Sequence, residues 1–136
     1  TVTDRQLDDR TGDFPRINDA AHGKPYRFGY HAHTSSWNQG EGVWFDGVIQ
    51  FDHATGASAE FVLEEGCVMG EVAFAADPTG SAENDGWLVA FASDLARNTS
   101  EFLVIDARDV ASGPVARVEL PRRVPFGFHG NWMPTT

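Results

Sequence analysis

Val48-Ile49-Gln50-Phe51-Asp52, followed by His53-Ala54-Thr55-Gly56 and then Ala57-Ser58-Ala59-Glu60-Phe61-Val62-Leu63, reads as strand, turn and strand. The pattern returns about 55 residues further on, as Phe102-Leu103-Val104-Ile105-Asp106, a longer turn ending in Ser112-Gly113, and Pro114-Val115-Ala116-Arg117-Val118-Glu119-Leu120. Both copies place an Asp at the close of one strand and a Gly before the next, the residue types that hairpin turns require. A period of this length marks a repeat architecture, in which each unit is one supersecondary element that buries its face only against a neighbour.

Between the copies, residues 71–75 and 87–91 flank a polar loop that contains Asn84-Asp85-Gly86. Segments 71–75, 87–91, 102–106 and 115–120 thus follow one another as four antiparallel strands, which is one propeller blade. Upstream, residues 26–30, the stretch from Val43-Trp44-Phe45 to Phe51, and residues 59–63 supply most of the preceding blade. Asp94-Leu95-Ala96-Arg97 is at most one helical turn. The expected fold is therefore all-β: residues 1–66 a partial blade, 67–120 a complete blade and 121–136 a closing strand, a little under three blades at about 50 residues each. A closed propeller needs four to eight blades, so the open sheet faces favour association with the rest of a propeller or with copies of the same chain. The spacing also permits a small β-sandwich of seven or eight strands.

Composition narrows the function. Twenty Asp and Glu against ten Lys and Arg give a formal net charge of -10, which repels phosphate backbones and argues against a nucleic-acid partner. With 41% hydrophobic residues the chain supports a core. No apolar run has the length of a membrane helix, and residues 1–10 lack the pattern of an export leader. Cys67 is the only cysteine, so neither an internal disulfide nor a two-cysteine zinc site can form, and a reducing, cytoplasmic location is expected. Cys67 itself reads as a small buried hydrophobe. Asn98-Thr99-Ser100 matches a glycosylation triplet, which matters only in a secreted protein. The sequence opens on Thr1 without Met and reads as a piece of a longer polypeptide.

Five histidines occur. His31 and His33 would share one strand face, but a metal needs further ligands that no neighbouring residue supplies. These two, His22 in a glycine-containing loop and His53 in a hairpin turn are assigned to structure. His129 stands apart, in Pro125-Phe126-Gly127-Phe128-His129-Gly130-Asn131-Trp132. Glycines on either side allow close backbone approach and the aromatics exclude water, as a ligand near a propeller axis would require. By spacing alone, a core histidine would have the same surroundings.

Three separated stretches give the chain a resemblance: Leu7-Asp8-Asp9-Arg10-Thr11-Gly12-Asp13-Phe14-Pro15-Arg16-Ile17-Asn18, then Gly70-Glu71-Val72-Ala73-Phe74 with Asn84-Asp85-Gly86-Trp87-Leu88, then the segment around His129. In order and spacing they resemble the last third of the carotenoid cleavage oxygenases, a family that includes lignostilbene dioxygenases and a vertebrate retinoid isomerase. The resemblance implies a seven-bladed β-propeller with Fe(II) on its axis, held by four histidines of which His129 would be the last. It implies glutamates that accept hydrogen bonds from the ligand imidazoles, with Glu71 as one. Asp13 stands where the family's usual Gly-Glu-Phe-Pro-Arg has Glu, and being one methylene shorter it would reach its histidine only through water or a shifted backbone. Apart from the resemblance, Glu71 reads as a solvated strand-opening residue and Asp13 as a turn residue. Phe126, Phe128 and Trp132 would either line an apolar substrate tunnel or, as the count favours, pack as core in the closing strand.

The implied reaction is O2-dependent cleavage of a conjugated carbon-carbon double bond in a carotenoid, apocarotenoid or stilbene, with isomerisation a lesser alternative on the same fold. With one ligand of four, the chain alone is expected to be inactive. The full-length protein is expected to be cytoplasmic or peripheral to a membrane. A reading from a different class is a noncatalytic β-rich interaction module that oligomerises through its open sheet faces.

Overall fold

The computed structural model describes residues 2–4, 6–35 and 44–135. Among these, nine β-strands form two antiparallel sheets, with single 3-10 turns at Asp19–Ala21 and Val110–Ser112 as the helical content. The first sheet runs in sequence order: β1 (Gly12–Arg16), β2 (Phe28–His33), β3 (Gly47–Asp52) and β4 (Ala57–Val62). In the second, β5 (Cys67–Met69) and β6 (Ala73–Ala76) both pair with β7 (Gly86–Asp94), which pairs with β8 (Thr99–Asp106), and β8 with β9 (Pro114–Glu119).

The two sequence repeats are the hairpins β3–β4 and β8–β9, the third and fourth strands of each sheet. Their turn chemistry is the one the sequence demands. Asp52 Oδ1 accepts from the Ala54 amide at 3.0 Å and Asp106 Oδ1 from the Arg108 amide at 2.9 Å, while Gly56 and Gly113 take the left-handed φ values of 77° and 74°. At Gly113 a Cβ would also meet the Phe61 ring at 2.9 Å, so the glycine lets the second sheet's last turn pack against β4.

Tyr30, Ala32 and Val48 of the first sheet meet Phe74, Leu88, Ala90, Leu103 and Ile105 of the second in one core between the sheets. Tyr30 Oη and Gln50 Nε2 both donate to the Ala107 carbonyl, at 2.9 and 2.8 Å, so the polar groups buried at this interface are satisfied. The Glu83 carboxylate accepts from the Arg27 and Phe28 amides and ties the β6–β7 loop to the start of β2.

Three boundaries differ from the sequence reading. Residues 1–66 hold a full four-stranded sheet, because Gly12–Arg16, in which Asp13 reads as a turn residue, forms β1; Pro15 is tolerated where the β1–β2 register shifts between Asp13 and Arg16. The blades are therefore two sheets, each four strands wide when β5 and β6 are taken as one interrupted strand, with the rest of the length in connections and tails. Residues 121–135, expected as a closing strand, join neither sheet: Pro121 and Pro125 lack amide donors, and the segment is anchored by Val124 N donating to Ser100 Oγ at 3.0 Å. Of the strand expected from Val43 onward, Val43 lies outside the described residues and Phe45 makes only an isolated bridge to Met69.

The second sheet's outward face is apolar: Ala73, Ala75 and Val89 cluster with Phe102 and Val104, beside Phe91 at 49% and Val118 at 51% exposure. No described helix is long and apolar enough to cross a membrane.

Candidate functional site

The strand that should run from Cys67 to Ala76 is interrupted. Met69 pairs with Ala92 and Ala73 with Val89, so Gly70, Glu71 and Val72 stand opposite only Phe91 and Ala90: a β-bulge, held by the Gly70 amide donating to the Phe91 carbonyl at 3.0 Å. Bulges re-aim side chains. This one turns Glu71, whose side chain is only 6% exposed, toward the C-terminal segment. There Glu71 Oε1 accepts from the Gly130 amide and lies 3.4 Å from His129 Nδ1, while Oε2 lies 3.0 Å from Arg16 Nη2.

The first sheet supplies the other wall. The register shift in β1 puts Phe14 at φ 48°, a left-handed backbone that costs a non-glycine residue about 1–2 kcal/mol and is supported here by Asp13 Oδ1 accepting the Phe14 amide at 2.7 Å. So placed, the Phe14 ring stands edge-on to His129 with centroids 5.0 Å apart and edge-on to Phe45 at 5.3 Å. A cleft of about 470 Å³ opens beside the imidazole, its wall including Phe45, Met69, Phe91, Phe126 and Phe128. Phe126 contacts Trp44, at a centroid distance of 3.9 Å, and the Arg123 guanidinium, 4.2 Å from the ring centre.

The sequence-derived candidates are thus distributed unevenly. His129 and Glu71 come together. Asp13 does not join them: its Oδ1 accepts the amide of the next residue at 2.7 Å, and among the described residues no hydrogen bond or ion pair links it to His129. Phe126, Phe128 and Trp132 are 43%, 82% and 42% exposed, so core packing does not describe them; Phe126 and Phe128 line the cleft and Trp132 does not. His31 and His33 do share a strand face. His33 Nδ1 is 2.6 Å from the Thr11 carbonyl, and His31 packs edge-on to Phe51, its pKa pushed down by burial and by the nearby His53. Cys67 is partly buried against the core, and burial pushes its thiol pKa up.

Sequence reasoning missed Arg16 and Phe14. Both lie inside the motif around Asp13, and the signal for Glu71's bulge was the glycine before it. As a metal donor set, the described residues contain no group of three His, Cys, Asp or Glu able to hold an ion. His129 fits one position of a larger set: its Nδ1 side faces the Glu71 carboxylate at 3.4 Å, the arrangement usual for metal-bound histidines, and among the described residues no partner is recorded for Nε2.

The model of the family described as retinal pigment epithelial membrane protein matches residues 1–134. A carotenoid cleavage oxygenase of Mycobacterium tuberculosis is 38% identical over 99% of this chain, and lignostilbene-alpha,beta-dioxygenase isozyme III of Sphingomonas paucimobilis is 31% identical over 94%. The chain spans about a quarter of their length, 27% and 28% respectively. The solved structure of cobalt-substituted apocarotenoid oxygenase from Synechocystis superposes with a TM-score of 0.85 at 26% identity, covering 95% of this chain and 26% of that one.

Proposed function

The chain belongs to the retinal pigment epithelial membrane protein family, of which the carotenoid and lignostilbene oxygenases are members, and from that premise we propose that it forms the C-terminal blades of a nonhaem Fe(II) dioxygenase. Its fold is part of the family's seven-bladed β-propeller. The substrate is a conjugated polyene or stilbene, and the reaction inserts both atoms of O2 across one carbon-carbon double bond to leave two carbonyl products.

One observation carries this reading: the His129 imidazole, at the mouth of an apolar cleft, faces a buried carboxylate through Nδ1. With its Oε1 3.4 Å from Nδ1, the Glu71 carboxylate favours the tautomer protonated on that nitrogen, whose Nε2 lone pair is available to a metal. Fe(II), when bound by His129 and histidines from the remainder of the propeller, supplies open positions for O2 and the electrons for its reaction. Phe14 fixes the tilt of the ring, and Phe126 and Phe128 offer apolar surface to the substrate chain while excluding water. The cobalt-substituted relative supports a metal-dependent site.

The rest of the propeller would cover the apolar outward face of the second sheet. That same face favours the alternative, a noncatalytic module that self-associates. A cleavage assay separates them: the complete polypeptide encoded with this chain, given an apocarotenoid or a lignostilbene under labelled oxygen, yields two labelled carbonyl products. A polypeptide that binds copies of itself and cleaves neither substrate class sinks the enzyme reading.

A further inference from the structure

Arg16 closes β1 and hydrogen-bonds the C-terminal segment, beside the ring contact that Phe14 of the same strand makes with His129. Its side chain is 25% exposed. Nη2 donates to the Gly130 carbonyl at 2.6 Å and forms an ion pair with Glu71 Oε2 at 3.0 Å. Glu71 Oε1, in turn, accepts the Gly130 amide and faces His129 Nδ1. Gly130, the residue immediately after the histidine, is therefore held at its N–H by Glu71 and at its C=O by Arg16, and the two holding groups are paired with each other.

This closed arrangement matters because, among the described residues, the other contact recorded for the His129 ring is the edge-on Phe14 ring, which carries no hydrogen bond. Residues 121–135 have no strand ladder, and the His129 side chain is 71% exposed. The Glu71 side chain, only 6% exposed, also needs a donor for Oε2, the oxygen that neither Gly130 nor His129 faces. A guanidinium meets both needs at once, since its planar fork presents several donors in fixed directions, whereas an ammonium is a point charge.

We propose that Arg16 is a positioning residue for His129, acting through the Glu71 carboxylate and the Gly130 carbonyl to set the imidazole in its metal-binding orientation. The proposal rests on the reading of His129 as a metal ligand.

The test uses the complete polypeptide and Co(II), whose visible absorption reports ligand geometry independently of turnover. Arg16→Gln weakens Co(II) binding about ten-fold in chelator competition and alters the visible bands, with the melting temperature of the metal-free protein little changed. Arg16→Lys, which keeps the charge and loses the fork, retains part of the affinity but not the wild-type bands. In a Glu71→Gln background, Arg16→Gln weakens binding by only about two-fold or less, because its main route of action is already cut. Wild-type affinity and bands in Arg16→Gln overturn the proposal, as does an undiminished loss in the Glu71→Gln background. If Arg16→Gln fails to fold, a wild-type spectrum in Arg16→Lys overturns it equally. Failure of the underlying reading looks different: the parent protein then binds no Co(II), or binds it as tightly after His129→Ala.

Discussion

Glu71 and Asp13 both sit at irregularities in edge strands, the β5–β6 bulge of the second sheet and the register shift in β1 of the first, yet their carboxylates go opposite ways. Glu71 leaves its own backbone, is buried to 6% exposure and gathers Arg16, Gly130 and His129 around it. Asp13 stays exposed and turns back onto the Phe14 amide, supporting the left-handed backbone there. A break in a ladder frees a side chain from the pleat, but side-chain length decides whether it reaches across or caps locally. The shorter carboxylate still serves the site indirectly, because the Phe14 conformation it supports sets the ring against His129.

The largest expected effect lies on the Glu71 side. In the complete polypeptide, Glu71→Ala lowers metal affinity by about 100-fold, the upper end for loss of a group that orients a ligand, while Asp13→Ala leaves it within about two-fold. Equal losses, read by chelator competition, would erase the distinction between the two carboxylates. Next in size, Asp13→Glu raises metal affinity by about three-fold, since the added methylene favours reach over local capping; an unchanged affinity would show that backbone direction, not length, governs this position. On stability, Asp13→Ala costs about 1 kcal/mol in denaturant unfolding through the lost bond to Phe14, and Asp13→Asn, which keeps an acceptor, costs about half that or less.

The smallest effect is the share of the acid-side pH dependence that Asp8 contributes, beside the depressed carboxylates Asp52, Asp77, Asp85 and Asp106. The Arg10 guanidinium beside Asp8 holds that carboxyl well below its ordinary 3.8, and Arg10 also bonds Ser58 Oγ and pairs with Glu60 of β4. A depressed carboxylate contributes stability above its unfolded pKa and loses it as pH falls toward the folded value. The melting temperature should therefore decline below about pH 4, and Asp8→Asn should flatten that decline, modestly because exposed pairs are screened.

Residues that carry their signal locally were legible in the sequence. The β3–β4 and β8–β9 hairpins announce themselves through Asp52, Gly56, Asp106 and Gly113, whose turn chemistry operates over a few residues. β1 was not legible, because its pairing with β2 is nonlocal and Pro15 with Asp13 has the composition of a turn. The course of residues 121–135 was also hidden: aromatics such as Phe126 and Phe128 carry the same apolar signal whether they enter a core or line a cleft. Among the site candidates, the motif pointed to His129 and Glu71, which the structure places side by side, whereas Arg16 was passed over, since its partners lie 55 and 114 residues away in sequence and only the fold joins them.

The central claim is that His129, oriented by Glu71, is a metal ligand. Metal analysis of the complete polypeptide and of its His129→Ala variant tests it most directly. The account predicts about one iron per parent polypeptide and little or none in the variant, with both proteins folded. A folded parent that holds no iron, or a variant that holds as much as the parent, would contradict it.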